Sequence, residues 1–67
     1  MLSVKLVVEG RVLHKKFAGG ATVGDAVFEV GLNKETVIPV LNGEVAHPKE
    51  RLSDGDELEL IKIIYGG

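Results

Sequence analysis

A chain of 67 residues is expected to form one small domain, because a chain this short buries only about 60% of its unfolded surface. Its 45% apolar and 27% charged residues fit a soluble globular domain, and eight Lys and Arg against ten Asp and Glu give a net charge of −2. No cationic excess attracts a phosphate backbone, so a direct nucleic-acid ligand is disfavoured. The chain has no cysteine, which removes disulfides, thiolate nucleophiles and sulfur ligands together. No apolar run approaches the roughly 20 residues of a membrane span, and Met1 to Val8 carries no basic stretch leading into one, so a cytoplasmic location is expected.

Leu2, Val4, Leu6 and Val8 alternate with Ser3, Lys5, Val7 and Glu9, the period of a strand with one buried face. Gly10 and Arg11 read as a turn, and Val12 to Phe17 as the returning strand of a hairpin, with Leu13 and Phe17 facing the core. After Ala18-Gly19-Gly20-Ala21, Thr22 and Asp25 have the spacing of a capping box. Val23, Ala26, Val27 and Val30 then form a helical apolar stripe, ended by Gly31. Val37 to Leu41 is a β-branched run, and Asn42-Gly43 is a strong hairpin signal that returns the chain through Glu44 to Ala46, before Pro48. Ser53-Asp54-Gly55-Asp56 forms a turn that launches a last strand from Glu57 to Ile64. Its alternation gives way beyond Leu60, where Ile61, Ile63 and Ile64 make it apolar on both sides. That suits a central strand or a surface receiving a partner.

The order ββαβββ predicts a segregated α+β domain, a mixed five-stranded sheet covered by one helix. It matches the β-grasp arrangement, in which the first and last strands lie parallel at the centre. The domain is expected to span residues 1–64, with residues 65–67 as a flexible tail. Gly66 and Gly67 carry no Cβ and can thread a narrow tunnel, and the Gly67 carboxylate is the reactive group of such a tail. A carboxylate is inert until activated; transfer of AMP to it creates an acyl-adenylate open to attack by sulfur or an amine.

Leu41-Asn42-Gly43, the block Leu52-Ser53-Asp54-Gly55-Asp56-Glu57-Leu58 and the terminal block Leu60-Ile61-Lys62-Ile63-Ile64-Tyr65-Gly66-Gly67 together resemble a known family. It comprises the ThiS/MoaD-type sulfur carriers of thiamin and molybdopterin biosynthesis, their archaeal ubiquitin-like modifier relatives and the ubiquitin-related tRNA-thiolation carrier. The resemblance spans essentially the whole chain. It implies a carrier, not an enzyme: a partner activating enzyme uses ATP to adenylate Gly67, and a cysteine desulfurase or sulfurtransferase supplies sulfur to give a thiocarboxylate. An acceptor synthase or tRNA-modifying enzyme then takes the sulfur. On this resemblance Gly66 gives access to Gly67, and Ile61, Ile63, Ile64 and Tyr65 form the strand and tail that partners grip. The chain itself holds no cofactor. Tyr65 stands directly before the diglycine, where many thiamin carriers have a further glycine.

Two alternatives use the same residues. A covalent modifier would join Gly67 to a lysine of a target protein, and a non-covalent adaptor would use the apolar strand and leave the tail idle. The remaining conspicuous residues read as ordinary surface. His14 and His47 occupy predicted strand positions without carboxylate or cysteine company, Asp54, Asp56, Glu57 and Glu59 lack a cation-loop pattern, and Gly19-Gly20 lacks phosphate-loop spacing.

Overall fold

Alternating apolar residues and positive-φ turns build the sheet as the sequence predicts. The computed structural model describes residues 1–64. It contains β1 (Leu2–Val8), β2 (Arg11–Phe17), α1 (Val23–Glu29), β3 (Val37–Leu41), β4 (Glu44–Val45) and β5 (Glu57–Lys62). The five strands form one sheet in the order β2-β1-β5-β3-β4. β1 and β5 pair in parallel at its centre, with Leu6 opposite Leu58 and Val8 opposite Leu60. Every other pairing is antiparallel.

The β1–β2 turn is Glu9-Gly10, with φ of 51° and 77°, and not the expected Gly10-Arg11. Two left-handed residues give the twist that a two-residue hairpin needs, and Arg11 consequently pairs with Val8 as the first residue of β2. Leu13 departs from expectation in a second way. It lies on the same face as Phe17, opposite Leu6, but at 36% exposed it belongs to the rim, while Phe17 is buried.

Seven residues make a helix too short to persist alone, and α1 is held at its first turn. The Thr22 Oγ1 accepts from the Asp25 N–H at 3.2 Å, and the Asp25 carboxylate accepts from the Thr22 N–H at 2.9 Å, completing the capping box. The Val23 N–H donates to the Glu50 carbonyl and that of Gly24 to the Pro48 carbonyl, both at 2.8 Å. A Cβ at position 24 would lie 3.2 Å from the Pro48 oxygen, so glycine there permits the close approach. Val23, Ala26 and Val27 are buried against Val4, Leu6, Leu58 and Leu60, and Val30 is half-buried against the same cluster. Gly31, with φ of 78°, ends the helix.

Pro39 sits inside β3 without breaking it. Its carbonyl accepts from the Ala46 N–H at 2.9 Å, so its missing donor faces the β4 side, where the strand is two residues long and makes no demand on it. Ala46 is buried just past β4, which is one residue shorter than expected. His47 follows that strand instead of belonging to it, and its Nδ1 accepts from the Lys49 N–H at 3.0 Å.

The Asn42-Gly43 turn does more than reverse the chain. Both residues have positive φ, 51° and 88°, and the Asn42 side chain reaches the start of β5. Its Oδ1 accepts from the Glu57 N–H at 2.9 Å and its Nδ2 donates to Asp56 Oδ1 at 3.0 Å. The other Asp56 oxygen accepts from the Ser53 N–H, and Asp54 Oδ1 accepts from that of Ser3, each at 2.7 Å. These acidic residues therefore serve the main chain. Asn42→Ala removes two hydrogen bonds and a residue suited to the left-handed region, so it should lower the unfolding free energy by about 2 kcal/mol. Urea denaturation reads this directly, and a loss below about 0.5 kcal/mol would show that the clamp is incidental.

Candidate functional site

Helix α1 covers one face of the sheet; the other face has no covering layer among the described residues. Residues directly opposite one another in register share a face, so the pairings Val7 with Val12, Val7 with Glu59, Val40 with Glu59 and Val40 with Val45 define a row across the open side. Ile61 opposite Ile38 forms the next row toward the end of β5. Val7 and Val40 are half-buried by their neighbours, whereas Ile38 is 40%, Ile61 44% and Val45 76% exposed. Glu59 is the carboxylate at the middle of an otherwise aliphatic row. Exposed aliphatic residues on an uncovered sheet face make this surface a candidate docking face.

β5 ends at Lys62, two residues earlier than the sequence predicts. The reason is the lack of a continuous partner: β3 begins at Val37, which pairs with Lys62, and beyond it only the Ile63 N–H, donating to the Thr36 carbonyl at 2.8 Å, continues the ladder. Ile63 is 37% and Ile64 90% exposed. With Glu9, Gly10, Glu59, Ile61 and Lys62, they line a shallow depression of about 560 Å³ at the exit of the central strand.

An ion pair steadies the rim of this depression. Lys62 Nζ lies 2.8 Å from the Glu9 carboxylate, and its hydrogen bond, with its charge, holds Glu9 below the usual carboxylate range. A lowered carboxylate pKa means that the pair is complete above the ordinary carboxylate range and is lost as pH falls through the lowered value. Both side chains are about half exposed, so the pair orders the rim more than it stabilises the domain.

Of the expected site residues, Ile61, Ile63 and Ile64 are thus brought together at one corner, with Ile61 alone on the open strand face. Tyr65, Gly66 and Gly67 lie outside the described residues. Sequence reasoning missed the contribution of Val7, Val12, Ile38, Val40 and Val45. The signals were present: Val7-Val8 and the run from Val37 to Leu41 are apolar at consecutive positions, as strands with both faces engaged are. His14 and His47 are exposed. Among the described residues no group of His, Asp and Glu is arranged to hold a metal ion, and no helix is long and apolar enough to cross a membrane.

A model of the ThiS family matches residues 5–67. Similar solved structures include a ubiquitin of Caldiarchaeum subterraneum, at 27% identity and a TM-score of 0.77 over 98% of each chain. SAMP1 from Haloferax volcanii is 25% identical, with a TM-score of 0.75 over 97% of this chain and 99% of that one. The thiamine biosynthesis protein ThiS from Geobacter metallireducens is 26% identical, with a TM-score of 0.64 over 94% and 99%. The fold is the ubiquitin-like β-grasp.

The two faces of β5 should separate by mutation. Ile61→Asp, on the open face, is expected to cost less than about 1 kcal/mol in urea denaturation, against about 3 kcal/mol for Leu60→Ala on the buried face. Equal costs would place Ile61 in the core and remove it from any docking surface.

Proposed function

Because this chain belongs to the ThiS family, we propose that it is a sulfur carrier whose reactive group is the carboxylate of Gly67. The observation that carries this reading is the match to that family from residue 5 through residue 67. The apolar corner at the exit of β5 supports it from geometry. The central strand ends beside Ile38, Ile61 and Ile63, so a partner seated on that corner meets the end of β5.

The chemistry requires two partners and no catalytic side chain from this protein. An activating enzyme joins the Gly67 carboxylate oxygen to the α-phosphorus of ATP, and pyrophosphate leaves. The terminal sulfur of a cysteine persulfide, on a desulfurase or sulfurtransferase, attacks the acyl carbon, and AMP departs with the electrons of the broken C–O bond. A thiol then attacks the partner's sulfur in the resulting acyl disulfide, forming a new disulfide and releasing the thiocarboxylate. Gly66 gives the passage its narrow cross-section, while Ile61, Ile63, Ile64 and Tyr65 provide the apolar grip. ATP is thus the partner's substrate. A thiazole synthase, a molybdopterin synthase or a tRNA-thiolating enzyme is the class of acceptor, and the cytoplasm is where such partners meet the carrier.

A second reading is supported by the likeness to SAMP1 and to the archaeal ubiquitin: conjugation, in which a lysine amine replaces the persulfide as nucleophile. Both readings share the adenylate. A purely non-covalent adaptor does not.

Deletion of Gly67 tests the shared step. It shortens the reach of the carboxylate by about 3.5 Å, more than a near-attack geometry tolerates. ATP–pyrophosphate exchange with the cognate activating enzyme should be abolished, with the melting temperature unchanged. Full exchange by the truncated protein would favour the adaptor. Ile61→Asp should weaken capture by the same enzyme by about 2 kcal/mol, roughly 30-fold, and unchanged capture would move the docking surface elsewhere.

A further inference from the structure

The outer edge of β2 is a second surface that the fold leaves open. A two-residue turn makes its flanking residues, Val8 and Arg11, a hydrogen-bonded pair. The alternation that follows turns the N–H and C=O groups of Arg11, Leu13, Lys15 and Phe17 toward β1, and those of Val12, His14 and Lys16 away from it. The neighbouring strand shows the same phase. Ser3 and Lys5 bond on the far side of β1, the Ser3 carbonyl accepting from the Gly55 N–H at 2.8 Å and the Lys5 N–H donating to the Asp56 carbonyl at 2.9 Å. β2 is the end strand of the sheet, and at seven residues it is as long as β1. Among the described residues nothing pairs with its outer side.

Charge and shape single out what would bind there. β2 carries Arg11, His14, Lys15 and Lys16 and no acidic residue, and Lys5 stands beside His14 in register. On the helix side, Val8, Leu13, Val30 and Leu32 line a groove of about 240 Å³, with Glu9, Arg11 and Lys62 around it. Lysine on an edge strand ordinarily blocks edge-to-edge pairing, and here it opposes a second copy of this chain, because two β2 edges would bring like charges together. Toward a strand of opposite charge the same residues attract. The cations therefore select the partner strand without closing the edge.

We infer that the β2 edge accepts an extended acidic segment of a partner protein as a sixth strand. Its main chain pairs with Val12, His14 and Lys16, its carboxylates lie on the open side of the sheet beside Lys16, and on the opposite side an apolar side chain enters the groove between Leu13, Val30 and Leu32. This is main-chain recognition at a sheet margin with side-chain pockets on alternate residues. It is independent of Gly67 and of the Ile38–Ile61 corner, so a partner held at β2 leaves the exit of β5 free.

The test uses the full chain, labelled with ¹⁵N, and a capped peptide of alternating glutamate and valine, with a lysine–valine peptide as control. The acidic peptide should shift resonances of β2, Val30 and Leu32 and slow amide exchange at Val12, His14 and Lys16. His14→Pro removes an outward donor while leaving the β1 ladder whole, and it should weaken binding about tenfold or more. The charge reversal Lys16→Glu, at an exposed position on the open side, should do the same. No binding at millimolar peptide, equal binding of the basic control, unaltered exchange at the three amides, or shifts confined to Ile38 and Ile61 would each overturn the inference. Should His14→Pro fail to fold, the charge reversal and the exchange pattern decide the matter.

Discussion

The parallel pairing of β1 with β5 is the constraint on which the rest of the molecule depends. Val4, Leu6, Leu58 and Leu60 are each at most 2% exposed. They occupy the two central strands, so the first and last strands lie side by side in the middle of the sheet. That contact is long-range in sequence and is bought only after the intervening elements have closed the loop between them. The capping box fixes the first turn of α1, and the Asn42 clamp and the ties from α1 to Pro48 and Glu50 join segments distant in sequence.

A central last strand also divides the labour of the two faces. The buried side of β5 is fully committed to the helix layer, through Leu58 and Leu60, while Glu59 and Ile61 on the other side have no layer to pack against. Stability therefore resides on one face and availability on the other, within a single strand of six residues. On the proposed carrier function, a partner takes hold of Ile38 and Ile61 without disturbing the core. The β2 edge adds a second place of attachment at the sheet margin, distinct in chemistry because it offers main-chain groups and cations where the central face offers aliphatic surface.

Much of the fold was legible because its signals are local. Thr22 with Asp25, Gly31, Asn42-Gly43 and the alternation in β1 each specify a backbone geometry within a few residues, and each appears where the sequence places it. What was not legible depends on partners distant in sequence. Leu13 has the right periodicity for the core, but nothing near it in sequence tells that the helix stops short of its position at the rim. The end of β5 is set by where β3 begins, twenty-odd residues away, so the isoleucine run could not reveal that Ile63 and Ile64 leave the strand. The open face was half seen: Ile61 stood out by breaking an alternation, whereas Ile38, Val40 and Val45 looked like ordinary strand residues until register put them beside it.

The central claim is that a sulfur atom is carried on the carboxyl carbon of Gly67. The most direct measurement is top-down mass spectrometry of the protein after incubation with its cognate activating enzyme, ATP and a persulfide donor. Exchange of oxygen for sulfur adds about 16 Da, nearly the same as oxidation of Met1, so fragmentation must assign the mass to a residue. The account predicts that the added mass lies on Gly67, appears only when ATP is present and gains the mass of one alkyl group when an alkylating agent captures the thiocarboxylate sulfur as a thioester. Added mass that always maps to Met1, with an unmodified Gly67 under every condition, would contradict it.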